Sequence, residues 1–139
     1  MTIITAPASS AFETRQERRE ALDLSIDEEL VRGDRRGTQL SRELRAVLTR
    51  IVDHELEVSE PLTERMLHAA TRLRHLLGGA RSRHRLDALA GMGLVRRSDG
   101  CVQPTVAGIA AVLRPSLLGS ARPPRELLRV LRQAELAAR

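Results

Sequence analysis

The sequence predicts a mainly α-helical protein with one small β-hairpin, and three features carry that expectation. Leu40, Leu44, Val47, Leu48, Ile51, Val52 and Leu56 form a continuous apolar stripe at the helical period. Glycine and proline punctuate the chain at Gly33 and Gly37, Pro61, Gly78-Gly79, Gly91-Met-Gly93 and Pro115. Between Leu94–Arg97 and Cys101–Gln103, both of strand character, lies Asp99-Gly100. That dipeptide marks a two-residue hairpin, because Asp and Gly tolerate positive φ.

Taken in order, residues 1–11 are small and polar and read as a disordered tail. Residues 12–37 form an N-terminal helical segment and linker. Three capping-box spacings (Ser10 to Glu13, Thr14 to Glu17, Ser25 to Glu28) leave its start ambiguous. Leu22, Ile26 and Leu30 share a face, which predicts a short amphipathic helix near 20–31 that Gly33-Asp-Arg-Arg-Gly37 breaks. The striped helix follows and ends near Val58. A second helix is expected over Leu62–Leu77, burying Leu62, Met66, Ala70, Leu73 and Leu77, with Gly78-Gly79 as its stop. A third covers Arg81–Met92 with Leu86, Leu89 and Ala90 inward. After the hairpin, Thr105 caps a helix whose apolar side is Val106, Ile109, Ala110 and Leu113. Residues 115–139 are a linker and a last helix, Pro124–Ala138, carrying Leu127, Leu128, Val130, Leu131 and Leu136.

Composition excludes several functions. All 23 basic residues are Arg, there is no Lys or Asn, and Phe12 is the only aromatic. A GC-rich genome accounts for most of that bias. One ring cannot build the stacking platforms of single-strand and RNA binders. Val106–Leu113, the longest apolar run, falls far short of the roughly 20 residues that span a bilayer. Residues 1–10 carry no signal-peptide pattern. The expectation is therefore a soluble, cytoplasmic, nucleoid-associated protein with no membrane partner. Cys101 stands alone, so no disulfide or Cys-rich zinc site is expected. His68 and His75 are seven residues apart, too far to chelate one ion without a third ligand. No P-loop or nucleophile elbow is present. Acid pairs such as Asp53/Glu57 and Glu28/Glu29 read as ordinary surface charges. No cofactor, metal site or catalytic residue is expected, and the protein is not read as an enzyme.

Charge is distributed unevenly. Residues 1–40 carry six Arg against eight acids, 41–80 balance, and 81–139 carry eleven Arg against four acids. Arg81, Arg83, His84 and Arg85 crowd the first turn of the third helix, where the helix dipole disfavours cations unless an anion is near. A phosphate would supply one. The alternative is a solvated Arg-rich surface balanced in three dimensions by the acidic N-terminal part.

From Leu40 to Arg114 the order is helix, helix, glycine turn, basic helix, hairpin, helix. With Leu86-Asp-Ala-Leu-Ala-Gly-Met-Gly-Leu-Val95-Arg-Arg-Ser-Asp-Gly100-Cys-Val-Gln-Pro-Thr105-Val-Ala-Gly108, this order resembles the winged helix-turn-helix domain of MarR-, ArsR- and PadR-like regulators. The resemblance implies a domain over 38–114, with extra N- and C-terminal helices, that binds double-stranded DNA as a transcriptional regulator such as a repressor. The helix at 81–92 would enter the major groove, with Arg81, Arg83, His84 and Arg85 at its leading end. Arg96 and Arg97 of the wing at 94–103 would lie on the backbone, and Arg72 and His75 would add contacts. Such regulators usually dimerise, here through the C-terminal or the N-terminal helix. Winged helices also serve as adaptors, so a protein partner in a chromosomal or transcription complex is the alternative.

Overall fold

The computed structural model describes residues 7–74, 78–113 and 123–138, with side chains over 14–69, 82–113 and 123–138. It is mostly helical with a small three-stranded antiparallel sheet. Helix α1 spans Pro7–Gly37, α2 Arg42–Glu57, and β1 is the two-residue strand Leu62–Thr63. Helices α3 (Glu64–Arg74) and α4 (Gly78–Gly91) follow. Strands β2 (Val95–Ser98) and β3 (Cys101–Pro104) form the hairpin, and α5 (Val106–Val112) and α6 (Arg125–Ala137) complete the chain.

The striped helix folds as its pattern requires. Ser41 caps α2 by accepting from the Leu44 amide at 3.2 Å, and Val47, Leu48, Ile51 and Val52 are buried. They meet Leu67 of α3, Leu86 and Leu89 of α4, Leu94, and Val106 and Ile109 of α5 in one core.

The N-terminal segment differs from expectation. Residues 7–11 open α1 instead of forming a tail, and residues 1–6 lie outside the described residues. The helix also runs through Gly33 without a break. Its two glycines are contact points: a Cβ on Gly33 would stand 2.1 Å from the Ala107 carbonyl oxygen, and one on Gly37 2.5 Å from that of Ala111. One glycine per helical turn thus lets the α1 backbone rest on α5. Arg45 reinforces the junction by donating to the carbonyls of Gly37 and Ala111.

The second helix begins two residues late. Leu62 and Thr63 pair with Val102 and Cys101 as β1, giving the sheet order β1-β3-β2. The Thr63 hydroxyl then accepts from the Met66 amide and caps α3. The helix turns Leu67 into the core, where it is buried, while Met66, expected inside, is 48% exposed. Expected burial of Ala70, Leu73 and Leu77 falls outside the described side chains. Gly78 and Gly79 open α4 rather than closing α3.

At the hairpin tip Asp99 and Gly100 have φ of 51° and 77°, both positive as a type I′ turn requires. Val95, Arg97, Val102 and Pro104 share one face of the sheet, and Arg96, Ser98, Cys101 and Gln103 the other. Thr105 caps α5 by accepting from the Gly108 amide, and its hydroxyl donates to the Gly93 carbonyl at 2.7 Å. Helix α5 is buried on more sides than an amphipathic reading allows, with Ala107, Gly108 and Ala111 inside as well as Val106 and Ile109.

A buried ionic cluster docks α6. Glu29, Arg132 and Glu135 are 7%, 6% and 9% exposed. The Arg132 Nη1 donates to Glu135 Oε2 at 2.8 Å, and its Nε donates to the Ser25 hydroxyl at 2.7 Å. Glu135 Oε1 in turn accepts from the Val106 amide at 2.7 Å, satisfying a free donor at the start of α5. Glu29, read from sequence as a surface charge, pairs with Arg32 inside this cluster.

Candidate nucleic-acid interface

Helix α4 is held by its inward side. Ser82, Leu86 and Leu89 are fully buried, and the Ser82 hydroxyl bonds His68 Nδ1 at 2.7 Å. Beyond its C-terminus Arg36 donates to the Met92 carbonyl, and the Leu94 amide donates to Leu89 at 3.0 Å. The helix is therefore fixed to α1, α3 and the hairpin while its outer side stays open.

Because α4 starts at Gly78, three residues earlier than expected, Arg83, His84 and Arg85 lie midway along it and not in its first turn; Arg83 and His84 are exposed and Arg85 is half-buried. Neither arginine forms an ion pair among the described residues. Arg81 lies in the same helix, but its side chain, that of Arg72 and the whole of His75 are outside the described residues.

The two hairpin arginines do not act together. Arg97 donates to Glu64 of α3 and Asp87 of α4, closing an ionic clamp between both helices and the sheet. The hydrogen bonds it donates to Glu64, then to Asp87, raise its pKa above the usual guanidinium value. Arg96 faces the opposite way. It lines an open cleft of about 320 Å³ with Glu55, Glu60, Cys101 and Gln103, where Gln103 donates to Glu55 at 3.2 Å. The hairpin tip is also tied back, its Gly100 carbonyl accepting from the Glu64 amide at 2.8 Å.

The excess charge of residues 81–139 is partly cancelled in space. Arg125 pairs with Asp27, Arg129 with Asp23 and Glu126, and Arg132 with Glu135. Of these four acids, Asp23 and Asp27 belong to α1, and Glu126 and Glu135 to α6 itself. Asp23 is held below its ordinary carboxyl pKa by the hydrogen bond from Arg129. Sequence reading missed Glu64 and Asp87 as partners of Arg97, and their alternation with Arg97 across three elements leaves no linear signal.

Among the described residues no three His, Cys, Asp or Glu side chains are grouped to hold a metal ion, and no helix is long and apolar enough to cross a membrane. No family model, curated protein or solved structure matches the chain.

Proposed function

We propose that the protein is a winged helix-turn-helix DNA-binding regulator whose α4 enters the major groove of a duplex. The order α2-β1-α3-α4-β2-β3 supports this reading, with α3 and α4 as the helix pair and β2-β3 as a short wing. The observation that carries it is the exposed outer side of α4, where Arg83, His84 and Arg85 sit midway along a rigidly held helix without acidic partners among the described residues. Guanidinium groups on an exposed helix side with no carboxylate to pair with suit phosphate. The clamped Arg97 then holds the wing in place instead of contacting a phosphate.

A second copy completes this proposal. Leu128 and Leu131 of α6 pack into the core, whereas Leu24 and Val31, two turns apart on α1, stay exposed and offer a surface for dimerisation. Two-fold symmetry would match a palindromic site.

The adaptor reading draws on a different observation. Arg97 is satisfied by two carboxylates and Arg96 shares its cleft with Glu55 and Glu60, so the wing offers duplex DNA little free positive charge.

Duplex binding by the full chain across a salt series separates the two. The DNA reading expects log K to fall steeply with log salt, and Arg83→Ala/Arg85→Ala to flatten that slope. Binding that is absent, or indifferent to salt and to both substitutions, favours the adaptor.

A further inference from the structure

The exposed arginines of α4 invite assignment as base readers, but the helix geometry gives them a different task. Ser82, Leu86 and Leu89 define its inward direction. At 3.6 residues per turn, His84 and Gly91 lie opposite that direction, with Asp87 and Ala88 on either side of them. All four are exposed. Arg83 and Arg85 fall on the two flanks, roughly a quarter to a third of a turn from the outward centre, and Arg85 is accordingly half-buried.

Resting on the DNA reading above, we infer that His84, Asp87 and Ala88 form the sequence-reading face of α4, and that Arg83 and Arg85 contact the phosphates along its two sides. A helix in the major groove meets base edges with its outward face and the two bordering strands with its flanks. Long guanidinium side chains on the flanks suit phosphates, which position the protein without specifying sequence.

Asp87 is the distinctive member of the face. A free carboxylate beside DNA is repelled by phosphates; Arg97, which it shares with Glu64, bonds this one and lessens that repulsion. The same bond orients the carboxylate, whose remaining lone pairs suit the N4 amino group of cytosine. The Ala88 methyl suits the C5 methyl of thymine, and the imidazole N–H of His84 can donate to a purine acceptor. At the C-terminal end of this face, a Cβ on Gly91 would meet no atom of the described residues within 4 Å.

Selection from a randomised duplex library with the full chain, followed by salt series on the selected site, tests the assignment. Asp87→Asn keeps an acceptor for Arg97 but adds donors, so it should move one selected position from cytosine toward adenine by about tenfold, at unchanged salt slope. His84→Ala, at an exposed site, should lose preference at one position with the same slope. Arg83→Ala and Arg85→Ala should each reduce the slope by about 0.9 and select the wild-type sequence more weakly. If the arginine variants change the selected bases while Asp87→Asn and His84→Ala do not, the assignment is overturned and the DNA reading survives. A wild-type chain that enriches no sequence and binds without salt dependence overturns both.

Discussion

Gly33→Ala is the substitution whose direction the packing determines most clearly. On an exposed helix this change gains about 1 kcal/mol, since Ala is the better helix former. Here the new Cβ would stand 2.1 Å from the Ala107 carbonyl oxygen and 2.7 Å from the Ala107 C and Cα atoms. All three belong to backbone, so no rotamer change relieves them. Helix α1 must retreat by about an ångström to restore van der Waals separation. That retreat also loosens Ile26 in the core and the Arg45 bonds across the junction. Overpacking of this kind costs about 1–3 kcal/mol, occasionally more. Three backbone contacts under 3 Å put Gly33→Ala at the upper end, about 3 kcal/mol, so after the propensity gain we expect a net loss of about 2 kcal/mol, or roughly 6–10 °C in Tm for a chain of this length. Gly91→Ala is the control, because its Cβ meets nothing and the change should be neutral or stabilising by up to about 1 kcal/mol. Urea unfolding followed by far-UV circular dichroism reads both. A Gly33→Ala midpoint at or above wild type would refute the close helix contact.

Two further substitutions probe the docking of α6. Arg132→Met strands the buried carboxylates of Glu29 and Glu135 and should cost about 3 kcal/mol in urea unfolding, near the lower end for a broken buried pair because Glu29 keeps Arg32 and Glu135 keeps the Val106 amide; an unchanged midpoint would count against the cluster. Asp23 titrates below its ordinary 3.8 in the folded protein, so in that range the folded chain binds fewer protons than the unfolded one. Its pairing with Arg129 contributes fully above pH 3.8 and is lost as pH falls through the lowered value. Asp23→Asn should therefore flatten the acid limb of Tm against pH, and parallel limbs for variant and wild type would contradict the pairing.

The parts of the fold legible in the sequence were those written in local pattern. The α2 stripe, the Asp99-Gly100 turn and the Thr105 cap each depend on residues a few positions apart, and each forms where its pattern lies. What was hidden depends on distant chain. Gly33 and Gly37 read as a break because a glycine looks alike whether it ends a helix or lets another helix approach. Only Ala107 and Ala111, some 74 residues on, distinguish the two. Strand β1 was missed because two residues carry no periodicity, and its partner Val102 lies across two helices. Glu29 resembled its solvated neighbour Glu28 because nothing local announces Arg132. At the site, the crowding of cations on α4 was visible, but not that the helix starts at Gly78 and carries them at its middle, and the acids that occupy Arg97 come from two other positions in the fold.

Those pairings change what the charge distribution means. Along the chain, residues 81–139 carry a net +7 and look like one basic block. In the folded protein Arg125 and Arg129 face Asp27 and Asp23, Arg132 is buried against Glu135, and Arg97 is shared between Glu64 and Asp87. An ion pair of this kind leaves a dipole whose field falls quickly, and salt screens it within about 8 Å under physiological conditions. A polyanion approaching α4 therefore responds to the few cations on that helix and not to the count over the segment. On the proposed DNA reading, each phosphate contact from this helix adds about 0.9 to the salt slope, so the slope counts the arginines of α4 and not the arginines of the segment. On the same reading, discrimination rests on what the outward face presents to the bases, which is where the clamped Asp87 sits.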